Sequence, residues 1–261
     1  MNRDLLRQVW VSASAVLCVY GTLLGFGVIG TPVEESAGGA LSADATLLAP
    51  GGPAFSIWSV IYLGLAAYTV WQWLPVNKES ERARASGWLA GLSMLLNAAW
   101  ITVTQWGWVW VSVVVIVVLA LTLGLIVRAL TVLPAHGLAD RIVVDGTFGL
   151  YLGWVTVATC ANVAAAGSTA GSPAPRILPV VAMVVLAAAA GLGVLFALRF
   201  GGRLAVAVAA AWGLAWIAVA RLTGQPESTA VGAVAVVAAV IVVGAALVVR
   251  GRMSGARAAE A

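Results

Sequence analysis

The sequence predicts an all-α membrane protein, a polytopic bundle of about eight transmembrane helices. Composition carries most of this: 62% of the 261 residues are hydrophobic and 9% charged, and the mean hydropathy is +1.03. So little polar surface cannot cover a core that faces water. The pattern supplies the rest. Apolar runs of about 20 residues recur, the length a helix needs to cross the hydrocarbon layer, and strand-type alternation is missing, which excludes a β-barrel.

The spans are expected at 8–30, 54–74, 86–104, 109–130, 142–165, 177–198, 203–222 and 229–249. The first follows Arg3 and Arg7 as a signal peptide would, but a signal core has about 7–15 apolar residues, so this longer run is expected to stay as a membrane helix. Lys and Arg then orient the bundle. With the N-terminus cytoplasmic, Arg3, Arg7, Lys78, Arg82, Arg84, Arg128, Arg141, Arg199, Arg203, Arg250, Arg252 and Arg257 fall at inner ends, and only Arg176 and Arg221 at outer ends. This asymmetry predicts a multi-pass cell-membrane protein with both termini cytoplasmic. It also accounts for the pI of 9.6, so no nucleic-acid partner is expected, and lipids are the surroundings. Cys18 and Cys160 lie inside apolar spans, where they read as small hydrophobes.

The connection from Thr31 to Gly52 is the longest outer loop; it is acidic through Glu34, Glu35 and Asp44 and ends in Pro50-Gly51-Gly52-Pro53. It reads as a mobile cover over the helix ends. In span two, Phe55, Trp58, Tyr62, Thr69 and Trp73 recur at steps of three, four and seven, so a helix places them on one stripe. Lipid contact demands no such mixture of flat rings and hydroxyls, which points to packing against protein or a flat ligand. Span three carries Asn97 and Trp100. A carboxamide in hydrocarbon needs a partner, so Asn97 is expected to face the bundle.

Span five aligns Tyr151, Trp154 and Asn162 on one face, with Gly149 and Gly153 available for close approach of another helix on the neighbouring side. Trp58, Trp100 and Trp154 share faces with Asn or Tyr and are read as cavity walls. Trp10, Trp71, Trp73, Trp88, Trp106, Trp108 and Trp110 are read as an interfacial belt. Asp145, at the inner end of span five, is expected to pair with Arg141 one turn away. Ten of the twelve tryptophans precede residue 166, and the later spans are built of Val, Ala, Leu and Gly. The expected organisation is a five-helix ligand-binding bundle over 1–166, an outer loop over 167–176, three further spans over 177–250 and a cytoplasmic tail over 251–261. Trp212 and Trp216 are assigned to helix packing.

These residues resemble the translocator protein family, also called tryptophan-rich sensory proteins or peripheral benzodiazepine receptors. The likeness covers residues 1 to about 166. It rests on F-x-x-W-x-x-x-Y at Phe55, Trp58 and Tyr62, on L-N-x-x-W at Leu96, Asn97 and Trp100, and on Y-L-x-W with a later Asn at Tyr151, Leu152, Trp154 and Asn162. The resemblance implies a five-helix bundle whose first loop closes a ligand pocket, and a small hydrophobic ligand of the tetrapyrrole type, porphyrin or haem, bound by Phe55, Trp58, Tyr62, Asn97, Trp100, Tyr151, Trp154 and Asn162. The loop segment LLAPGGPAF lacks the family's Trp, and no basic residue follows Tyr151 within its span, so the sterol-associated pattern is absent. The three extra spans mark an extended bacterial type, and a homodimer is compatible with the family.

A sensor or carrier is therefore expected, with no required cofactor and no metal site: the single His, His136, falls in an inner loop, away from any axial position on a haem. Two other classes stand beside it. An ion-coupled secondary transporter would rest on Asp145 as an intramembrane acid. A porphyrin-degrading activity would have to proceed from Trp alone, because no nucleophile, His and acid cluster exists and the sole Lys, Lys78, is in a loop. No catalytic residue is assigned.

Overall fold

The computed structural model describes residues 2–171, 174 and 176–259. Parts of the expected outer loop 167–176 and of the tail 251–261 lie outside the described residues. The described chain is all-helical, and eight of its helices are long and apolar enough to cross a membrane.

Helix α1 (Arg3–Gly25) starts earlier than the apolar run because Asn2 caps it: the side-chain oxygen accepts the Asp4 N–H at 3.1 Å. It also stops earlier, where Gly27 takes φ 70°. A 3-10 turn over Gly52–Ser56 leads into α2 (Ile57–Trp71). Ser80 caps α3 (Glu81–Gln105), its Oγ accepting the Ala83 N–H at 3.2 Å. Gly107, at φ 73°, makes the tight turn into α4 (Val109–Val132). A π-helical segment, Asp140–Gly146, runs directly into α5 (Thr147–Thr169). Then follow α6 (Leu178–Arg199), α7 (Leu204–Thr223) and α8 (Thr229–Ala259).

The chain forms two compact units. The first comprises Met1–Leu41 and Ser56–Phe148, hence α1 to α4 and the π-helical segment. In it α3 is central, with α1 and α4 both packed along it. Small residues set the α1–α3 distance: a Cβ on Gly21 would lie 2.9 Å from Ala98 Cα, while the Arg7 stem and the Trp10 indole lie over Gly87 and Gly91.

The second unit comprises Ser42–Phe55 and Gly149–Ala261. There α8 packs against α6 and α7 around Leu186, Leu214, Ile217, Ala235 and Val242. Helix α5 meets α7 through glycines, as its spacing predicts: Gly149 faces Ala205, Gly153 faces the Val206 carbonyl and Ala209, and Gly213 faces Val157.

The surface of the helices is aliphatic, with Val16, Leu63, Leu121 and Val240 exposed, as helices facing acyl chains require. Trp73, Trp88, Trp106, Trp108 and Trp110 are exposed near helix ends and fit the expected belt. Trp71 does not. It is buried, and its Nε1–H donates to Asp140 Oδ1 at 2.9 Å, so it serves the interior of the first unit.

Candidate functional site

In the first unit, Trp58 stacks on Tyr62 one turn along α2, with ring centroids 5.2 Å apart and planes 16° apart. Asn97 reaches them from α3: its Nδ2 donates to the Tyr62 hydroxyl at 2.9 Å and approaches Cys18 Sγ at 3.8 Å. Phe26 packs edge-on against Tyr62. Asn97 is wholly buried, and Trp58 and Trp100 nearly so, so the predicted inward stripe is real for these residues. The Asn97 Oδ1 atom is buried with no hydrogen-bond partner among the described residues, an uncommon state for an interior amide oxygen. The stripe ends early: Thr69 bonds the Leu65 carbonyl of its own helix, and Trp73, beyond the end of α2, donates to Ser12.

In the second unit, Phe55 meets Trp154 edge to face, centroids 5.7 Å apart. Tyr151, Trp154 and Asn162 are buried. The strap that carries Phe55 is held by α7. Trp212 Nε1–H donates to the Ala54 carbonyl at 2.9 Å, and the Gly51 N–H donates to the Trp216 carbonyl at 3.2 Å. Arg221, wholly buried, donates to the carbonyls of Ala43, Thr46, Gln225 and Pro226. The expectation of a mobile cover is thus corrected for residues 43–54, which are tied to α7 by four hydrogen bonds.

Two carboxylates of the loop have altered acidity. Ser42 Oγ donates to Asp44 at 2.5 Å, and this bond, followed by the residue's own backbone N–H, holds the carboxyl below its ordinary range. Burial, with Glu35 as a second cause, pushes the Glu34 carboxyl up. The sequence reading assigned Trp212 and Trp216 to helix packing and Arg221 to a helix end, and did not anticipate that they hold the strap. A guanidinium at an outer helix end against the general charge bias was the available signal.

The second unit also holds a cavity of about 570 Å³, within the size range of small-molecule sites. Leu48, Cys160, Ala164, Ala182 and Val185 line its interior, and Glu227 and Ser228 also line it. None of the eight predicted site residues lines it.

The end of the first unit at which α3 begins is ionic. Arg82, only 1% exposed, lies between two carboxylates of the π-helical segment: Nη2 is 2.5 Å from Asp145 Oδ1, and Nε is 3.6 Å from Asp140 Oδ2. It also donates to the Leu133 carbonyl. The expected Arg141–Asp145 pair is therefore corrected: Asp145 pairs across helices with Arg82, and Arg141 is exposed. In an α-helix, residues five apart diverge by about 140°. The wider turn closed by i→i+5 bonds brings Asp140 and Asp145 to one side, which the sequence-level assumption of α-helix could not anticipate. Among the described residues no group of His, Cys, Asp and Glu could hold a metal ion.

No curated protein and no solved structure matches the chain. A family model described as "TSPO-like protein" matches residues 10–248, which includes the three later spans as well as the five that carry the resemblance. The chain therefore belongs to the TSPO-like family.

Proposed function

We propose that this protein is a membrane sensor or carrier for a flat, largely apolar ligand of the tetrapyrrole class. The observation that carries the proposal is the Trp58–Tyr62 stack topped by Asn97, whose Oδ1 is buried and has no partner among the described residues. Indole and phenol faces suit a planar ring system. The free amide oxygen is an acceptor for a pyrrole N–H, and leaving it unused costs on the order of 1–3 kcal/mol. Trp100 is the other proposed contributor in this unit, and Phe55, Tyr151, Trp154 and Asn162 are proposed as ligand contacts on the strength of the family resemblance alone. The rings now pack on one another, so a ligand must part Trp58 from Tyr62 and take the place of that contact. Both termini are assigned to the cytoplasmic side, from the distribution of Lys and Arg.

The transporter alternative loses its main support, because Asp145 is committed to Arg82. The test is a titration of protoporphyrin into the detergent-purified chain, followed by Trp quenching. Stacking contributes about 0.5–1.5 kcal/mol per aromatic pair, so each of Trp58→Leu, Trp100→Leu and Trp154→Leu is expected to weaken binding by about two- to twelvefold. If all three bind as the unaltered chain does, the site assignment is wrong.

A further inference from the structure

The first unit has a hollow at the N-terminal ends of α1 and α3. Its volume is about 500 Å³, and around it stand Asn2, Arg3, Asp4, Arg7, Arg84 and Trp88. Three guanidinium groups and one carboxylate thus line it. Asp4 is fully used: Arg84 grips it with Nε at 3.0 Å and Nη2 at 2.7 Å, and Arg7 Nη1 donates to it at 3.0 Å. The residues that line the hollow sum to two positive charges, with Glu79 and Glu81 near Arg84 outside the lining, and the positive ends of two long helices add to it. Arg7 is 1% exposed; its Nη2 donates to the Lys78 carbonyl, and its Nε–H, which lies over Gly87, has no acceptor among the described residues. Arg3 is exposed, and Arg84 is half exposed even while it grips Asp4.

These features point to an anion, and the surroundings identify its carrier. Trp88, half exposed, lines the hollow, and Trp10 bonds its carbonyl. Leu5, Leu6 and Val9 on α1 are exposed beside it. A guanidinium cluster next to an indole and bare aliphatic side chains, at a helix end, is the chemistry of an anionic phospholipid: phosphodiester at the arginines, acyl chain along α1. We propose that this hollow binds the headgroup of an anionic phospholipid, that Arg3 and Arg84 are its contacts, and that buried Arg7 adds its charge from behind them. The site is independent of the ring cluster at Trp58 and does not require a tetrapyrrole.

The test uses the full chain in nanodiscs of phosphatidylcholine with rising phosphatidylglycerol, released for native mass spectrometry. One saturable phosphatidylglycerol adduct is expected. Each basic side chain near a lipid surface is worth about fivefold in affinity, so Arg3→Gln and Arg84→Gln are each expected to weaken retention by about fivefold, and together by about 25-fold. Arg84→Lys, which keeps the charge, is expected to retain most of it, and circular dichroism of each variant establishes that the fold is intact. Equal retention of phosphatidylcholine, or unchanged retention by a folded double variant, overturns the proposal. Displacement of the lipid by millimolar inorganic phosphate also overturns it, in favour of a site for a free anion.

Discussion

A guanidinium out of water is tolerated only when its charge is answered, and Arg82 shows how this is done. It is almost wholly buried, with Asp145 at 2.5 Å and Asp140 at 3.6 Å. Replacing Arg82 with Gln leaves both acids without their cation, and uncompensated buried charge costs about 3–5 kcal/mol. A clearly lower Tm in detergent is expected. Asp145→Asn leaves Arg82 paired with Asp140 and should cost less than half as much; equal losses would show that Arg82 is not the shared partner. Asp44 offers a test by pH. Its carboxyl is held below the ordinary range by Ser42, so the ionised form favours the folded strap. That contribution is present above the ordinary aspartate value of about 4 and is lost as pH falls through the lower folded value. Proteolytic nicking of residues 43–54 should therefore stay slow at neutral pH and rise only below about pH 4. Acceleration between pH 7 and 5 would assign the effect to another group.

At the scale of elements, the number and type of helices were legible, because each apolar run exceeds the length a bilayer requires. The π-helical segment was not, since no periodicity in Asp140–Gly146 distinguishes i→i+5 from i→i+4 closure. The inward placement of Trp58, Tyr62 and Asn97 was legible from spacing and from the cost of burying an amide, whereas the role of Trp212 was not. Its acceptor, the Ala54 carbonyl, is 158 residues away in the chain, and no local pattern reports so distant a contact. The Gly149 and Gly153 pair was legible as a close-approach surface, but its partner α7 was not. Gly153→Val has no room for its side chain against the Val206 carbonyl, and overpacking of this kind costs about 1–3 kcal/mol. Gly191→Ala, where nothing lies within 4 Å, should be neutral or slightly stabilising because alanine favours the helix. Thermal melts of the two variants in one detergent check this. A similar Tm for both would mean that α5 and α7 do not depend on the small residue.

For the whole molecule, composition decides the class, and charge is the basis of the proposed direction. Eight apolar helices return the chain to the side from which it starts, and twelve of its fourteen Lys and Arg residues lie at the ends assigned to that side. A basic residue resists translocation, and on this ground the proposed arrangement has these ends in the cytoplasm. Arg221 does not oppose the rule, because its charge is spread over the carbonyls of Ala43, Thr46, Gln225 and Pro226 and buried in the fold. Arg221 therefore acts as a structural anchor of the strap, and direction is left to the exposed cations. The expected topology can be read in intact cells. With Cys18→Ala and Cys160→Ala as background, a cysteine at the exposed position of Gln225→Cys should react with a membrane-impermeant maleimide from outside. Glu79→Cys and Ser254→Cys, also exposed, should react only after the cells are opened. Labelling of Glu79→Cys and Gln225→Cys from the same side would overturn the assignment, because an odd number of crossings between those positions, α3 to α7, requires them to lie on opposite sides.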